Sequence, residues 1–155
     1  MPETESTSEQ QRREPRHLAG RLLALDLGTR RVGVAISDEL CLTIRPLSPL
    51  QRTNWKELLR AIINLRDSFD AQGVVIGLPL LLNGIEGEAA QEARRIARNL
   101  SLSLHIPIYL QDERLTSYAA QENLRAENLS DEELKARLDS EAAVLILRDF
   151  IARMG

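Results

Sequence analysis

The sixteen residues LLALDLGTRRVGVAIS, positions 22–37, constrain the fold more than any other stretch of this chain. They read as two strands, 22–27 and 32–38, joined by the tight GTRR connection of a hairpin. With a loop of residues 28–31, Leu27 pairs with Val32 and Asp26 lies opposite Gly33. Strand side chains alternate between faces. One face therefore collects Leu23, Leu25, Leu27, Val32, Val34 and Ile36, and must be covered by a core. The other collects Ala24, Asp26, Gly33, Ala35 and Ser37, all small, and is expected to leave room beside the carboxylate. An uncompensated charge in an apolar setting costs several kcal/mol, so Asp26 calls for a partner or a ligand. The ordinary alternative is an Asp that starts a turn, with Gly28 supplying a positive φ.

The rest of the chain extends this hairpin into a layered α/β domain. CLTIRPLSPL (41–50) reads as a third extended segment, and its two prolines suit an edge. TNWKELLRAIINLRDSF follows with a cap at Thr53 or Asn54, and Trp55, Leu58, Leu59, Ile62, Leu65 and Phe69 at helical spacing. GVVIGLP (73–79) is a continuous apolar run ended by Gly77 and Pro79, as expected of a strand buried on both faces. Asn83-Gly84 marks a turn before a helix over 87–103. IPIYL (106–110) reads as another buried strand, a helix develops from DERLTSYAAQENL, and a last helix spans 139–153. An antiparallel meander feeding parallel βαβ units predicts a mixed five-stranded sheet with helices on both faces. Residues 1–17 are polar and aperiodic and read as a disordered tail; residues 18–155 read as a single domain.

Three acidic positions stand out. Asp26 belongs to the hairpin. Asp112 and Glu113 follow a strand, at the carboxyl edge where open α/β sheets bind ligands; the alternative is that Asp112 caps the next helix and Glu113 favours its positive end. Asp139 reads as opening the last helix, in line with Ala142, Ala143, Ile146 and Phe150, with an N-cap as its alternative. If Asp26, Glu113 and Asp139 converge, their repulsion would be relieved by divalent cations. Oxygen-only ligands select Mg²⁺ or Mn²⁺ over zinc. Two such ions about 3.5–4 Å apart would organise attack of water on a phosphodiester.

Composition narrows the function classes. The net charge is −3, and 18 of the 20 basic residues are Arg, which suits bidentate phosphate contacts from a local groove rather than from a wholly basic surface. Cys41 is the lone cysteine, which excludes a disulfide framework or a cysteine-based zinc site. No apolar run approaches the ~20 residues of a membrane span, and the N-terminus lacks the pattern of a secretory signal. The expectation is a cytoplasmic protein.

LALDLGTRRVGVAISD, GLPLLLNG, DERLT and LDSEAAVLIL together resemble the four signature blocks of the YqgF/RuvX family, in order and spacing, over residues 21–151. The resemblance implies a ribonuclease-H-like fold and a divalent-metal-dependent nuclease, with Asp26, Glu113 and Asp139 as metal-binding and catalytic acids. It implies processing of the 5′ end of the small-subunit ribosomal RNA precursor and contact with ribosome-assembly intermediates, in a monomer or weak homodimer; Holliday-junction resolution on branched DNA is the other activity it implies. Arg30, Arg31 and Arg114, near the acids, are candidate phosphate contacts. The chain departs from the family pattern at Leu81 and Asn83, at Ala119, and before Asp139, where Lys135 and Arg137 alone are basic. Two rivals follow from the same residues: a nucleotide-binding hairpin of the actin-like ATPase type, for which a second domain and second phosphate loop are missing, and a non-catalytic RNA-binding module, which would have no use for three acids facing a polyanion.

Overall fold

A computed structural model describes residues 20–81, 83–113 and 130–154, with backbone only for 131–139. The expected tail (1–17), the helix growing from DERLT, and Arg114 lie outside the described residues. The described elements are β1 (Arg21–Leu27), β2 (Arg31–Ser37), β3 (Ile44–Gln51), α1 (Trp55–Phe69), β4 (Ala71–Leu78), α2 (Glu88–Leu104), β5 (Ile108–Asp112) and α3 (Asp131–Met154). They form one five-stranded sheet in the order β3-β2-β1-β4-β5. β1, β2 and β3 run antiparallel as a meander, and β4 is parallel to both β1 and β5.

The hairpin adopts the expected register: Asp26 pairs with Gly33 and Leu27 with Val32. Gly28 closes it, its N–H donating to the carbonyl of Arg31 at 2.9 Å. The described glycines at positive φ are Gly20 and Gly84, so Gly28 does not supply the left-handed turn that the simpler reading of Asp26 required.

Alternation sends the two sets of hairpin residues into different cores. Leu23, Leu25, Val32, Val34 and Ile36 pack with Leu58 and Ile62 of α1 and with Ala93, Ile96 and Leu100 of α2. Ala24 and Ala35 pack instead with Val75 and with Ala143, Val144, Ile146, Leu147 and Phe150 of α3. The helices thus cover both faces, as expected. The small-residue face is not an open chamber, however. Short side chains there let α3 lie close to the sheet, and Ala24 and Ala35 are fully buried beneath it.

β3 lies at an edge, as its prolines require. Two other elements differ from expectation for identifiable reasons. β5 starts at Ile108, after Pro107, and is half-buried at the opposite edge rather than buried on both faces. α3 starts at Asp131, eight residues before the expected start, so Asp139 is an interior helix position and not a cap. α1 begins as expected: the Asn54 side chain accepts from the Glu57 N–H at 2.9 Å.

Candidate functional site

The parallel strands β1, β4 and β5 end at one edge of the sheet, and the acids gather there. Asp26 is the penultimate residue of β1. Asp112 is the last residue of β5, pairing with Leu78 of β4, and the Glu113 N–H donates to the Leu78 carbonyl at 3.2 Å. One strand, β4, therefore separates Asp26 from Glu113.

Gly77 is what lets them meet. It occupies the β4 position that follows Ile76, the partner of Leu25, so it lies beside Asp26 on the α3 side of the sheet. A Cβ built at Gly77 would stand 2.5 Å from Glu113 Oε2 and 2.6 Å from Ile146 Cδ1. The Glu113 carboxylate lies in the space that a side chain on β4 would fill, roofed by Ile146 of α3. A glycine inside a strand marks such an approach.

The electrostatics of this arrangement are one-sided. Burial, then the Asp26 charge, then a side-chain hydrogen bond with Asp26 and finally the Asp112 charge all push the Glu113 carboxyl up, to about 9. Two carboxyl groups share a hydrogen bond only if a proton lies between them. Glu113 Oε2 is buried and has no hydrogen-bond partner among the described residues. A buried orphan oxygen costs about 1–3 kcal/mol, and a hard cation is the ligand that would satisfy it beside a second carboxylate.

The other expected site residues stand as follows. Position 139 on α3 is two helical turns before Ile146, about 10 Å along the axis, on the stripe with the buried Ala142, Ala143, Ile146 and Phe150. The next residue, Ser140, donates from its hydroxyl to the Leu47 carbonyl at 2.9 Å. Leu47 pairs with Val34, adjacent to the Gly33 that faces Asp26. The backbone at 139–140 thus crosses the sheet near the Asp26 row. Arg31 begins β2, two residues before Gly33 and on the same face. Arg30 is exposed in the hairpin loop.

One residue of this edge escaped the sequence reading. Arg52 braces the hairpin loop: its Nη1 donates to the Gly28 carbonyl at 2.8 Å, its backbone N–H to the Arg30 carbonyl at 2.9 Å, and its guanidinium pairs with Glu92 of α2. The signal available was weak, an arginine just past an edge strand.

The family model described as RuvX, Holliday junction resolvase, matches residues 20–153. The chain belongs to the RuvX family. A Koribacter versatilis protein, provisionally named a pre-16S rRNA nuclease, is 38% identical over 143 residues, covering 92% of this chain and 94% of that protein. An Anaeromyxobacter protein with the same provisional name is 39% identical over 133 residues, covering 86% and 97%. Among solved structures, Thermus thermophilus RuvC in complex with a Holliday junction substrate matches with a TM-score of 0.52 at 16% identity, covering 88% of this chain and 96% of that one. The fowlpox virus resolvase bound to Holliday junction DNA matches with a TM-score of 0.52 at 11% identity, covering 86% and 98%. These likenesses show a ribonuclease-H-like fold, as the sequence led one to expect. By family the chain is a nuclease.

Proposed function

We propose that this RuvX-family nuclease is divalent-metal-dependent and processes the 5′ end of pre-16S ribosomal RNA in the cytoplasm. The observation that carries the reading is the Glu113 carboxyl laid across Gly77 against Asp26 with one buried oxygen unsatisfied. The substrate is taken from the provisional names of the relatives. No helix among the described residues is long and apolar enough to cross a membrane.

Asp26 and Glu113 fit Mg²⁺ or Mn²⁺, and Asp139 is proposed as their third partner from its place on α3. When bound, such ions supply a nucleophilic water and offset charge on the oxygens of the phosphodiester. The chain's own contribution is positional. β1 and β5 are fixed by their pairing, Gly77 provides the space, and Ile146 roofs the pair. Arg31, on the Asp26 face, and Arg30, in the loop that Arg52 braces, are proposed to hold substrate phosphates; Arg114 is proposed for the same role from its place next to Glu113.

The test is cleavage of a precursor 16S RNA and of a four-way DNA junction, with wild type and Asp26→Asn side by side and Mg²⁺ or Mn²⁺ present or chelated. The expected result is RNA cleavage by wild type with metal, and loss of at least a hundredfold in the variant. Equal activity in the variant would overturn the site. Cleavage of the junction alone would overturn the substrate in favour of the branched DNA named in the family's description.

A further inference from the structure

On the opposite face of the sheet, at the same edge, the structure holds a cleft of about 420 Å³ between the hairpin loop, the start of α1 and the first half of α2. Leu58 and Ile96 form its floor, Trp55 and Asn54 one wall, Arg95 and Asn99 the other, and Thr29 of the hairpin loop its rim.

Three features of this cleft are unlike an ordinary gap between helices. Trp55 is 37% exposed although it is the largest side chain on α1 and the only tryptophan in the chain. Arg95 is exposed, and no hydrogen bond or ion pair holds it among the described residues. Glu92, the acid on this wall, is neutralised by Arg52, so the net charge within the cleft is positive. An indole face, amide groups and an arginine without a partner among the described residues are what an unpaired nucleotide needs: a stacking surface, hydrogen-bonding groups for a base edge, and a phosphate contact.

Along the chain, the rim of the cleft lies close to the acids. Thr29 is three residues from Asp26, at most about 10 Å along the chain. Arg52 lines the cleft and braces the loop between them.

We propose that this cleft is a substrate subsite that holds an unpaired ribonucleotide flanking the scissile bond, its base stacked on Trp55 and its phosphate at Arg95. The inference deepens the RNA-nuclease reading and rests on it for the identity of the strand. It assigns the enzyme a substrate with a single-stranded segment next to the cleavage point. A duplex running past the acids would leave the cleft empty.

Trp55 makes the test direct, because the intrinsic tryptophan fluorescence of the chain arises in the cleft alone. A short unstructured RNA oligonucleotide is titrated into the full-length protein with chelator present, so that binding is observed without cleavage. Fluorescence quenching and the anisotropy of labelled RNA are read together. The expected outcome is saturable quenching that follows the anisotropy, a blunt RNA duplex that quenches little, and binding weakened about tenfold or more by Trp55→Ala and by Arg95→Glu. Trp55→Phe retains most of the affinity, which separates stacking from a folding defect. RNA binding without quenching, or Arg95→Glu binding as wild type does, would overturn the subsite. Quenching by an RNA that the wild type with metal fails to cleave would keep the subsite and overturn the nuclease reading instead.

Discussion

At the scale of single residues, the position that decides the site is Gly77, which has no functional group. Replacing it with Ala sets a methyl carbon 2.5 Å from a carboxylate oxygen and 2.6 Å from the Ile146 Cδ1. One of the two must move. Gly77→Ala is expected to lower cleavage at least tenfold by displacing Glu113, and to cost about 1–3 kcal/mol in denaturant midpoints through overpacking. Wild-type cleavage by a folded Gly77→Ala protein would mean that the Glu113 position does not matter. Glu113→Gln separates the two effects, because it keeps the shape and removes the charge. Its metal-free form should melt no lower than wild type at pH 8, while Mg²⁺ should no longer raise its melting temperature. The strand position of Asp26 opposite Gly33 was legible in the sequence, from the alternation of large and small residues around it. Gly77 was legible only as a strand end, because the close approach it permits comes from residues 36 positions later in the chain.

At the scale of elements, the hairpin and α3 explain each other. The alternation of Leu and Val with Ala and Gly gave away the register, because a slip by one residue would exchange the two faces. It did not reveal what covers the small face. Ala24 and Ala35 are small because α3 lies on them, not to leave space for a ligand. Ala35→Leu is therefore expected to destabilise the fold by about 1–3 kcal/mol in urea denaturation, and a neutral result would mean that α3 packs more loosely than its burial implies. α3 starts before Asp139, which has the look of a cap, because Ser130 followed by Glu133 fits the capping box and Glu, Leu, Lys and Ala favour helix in the stretch between. β5 differs from its sequence pattern in the other direction. Its apolar run reads as fully buried, yet it forms an edge of the described sheet and is half-buried, with the Tyr109 and Phe150 ring centroids 4.8 Å apart and the rings tilted by 40°.

At the scale of the whole molecule, the acid pair ties folding to pH and, on the proposed reading, to metal. The Glu113 carboxyl lies near 4.5 in the unfolded chain and at about 9 in the folded one. Between those values the folded protein holds a proton that the unfolded chain has released. Stability from this group is thus complete below about pH 4.5 and is lost as pH rises toward 9. The metal-free protein is expected to melt at progressively lower temperature from pH 6 to pH 9, and Glu113→Gln should flatten that slope. A cation that binds only the deprotonated pair competes with the same proton, so its stabilising effect should run the opposite way. The rise in melting temperature on adding Mg²⁺ should be small at pH 6 and largest near pH 9. Thermal melts at four pH values, with and without Mg²⁺, check both slopes at once. An unchanged pH slope in Glu113→Gln would assign the dependence to other groups. A Mg²⁺ effect equal at pH 6 and pH 9 would mean that the ion binds away from Asp26 and Glu113, because no ligand pair that must first give up a proton can bind independently of pH.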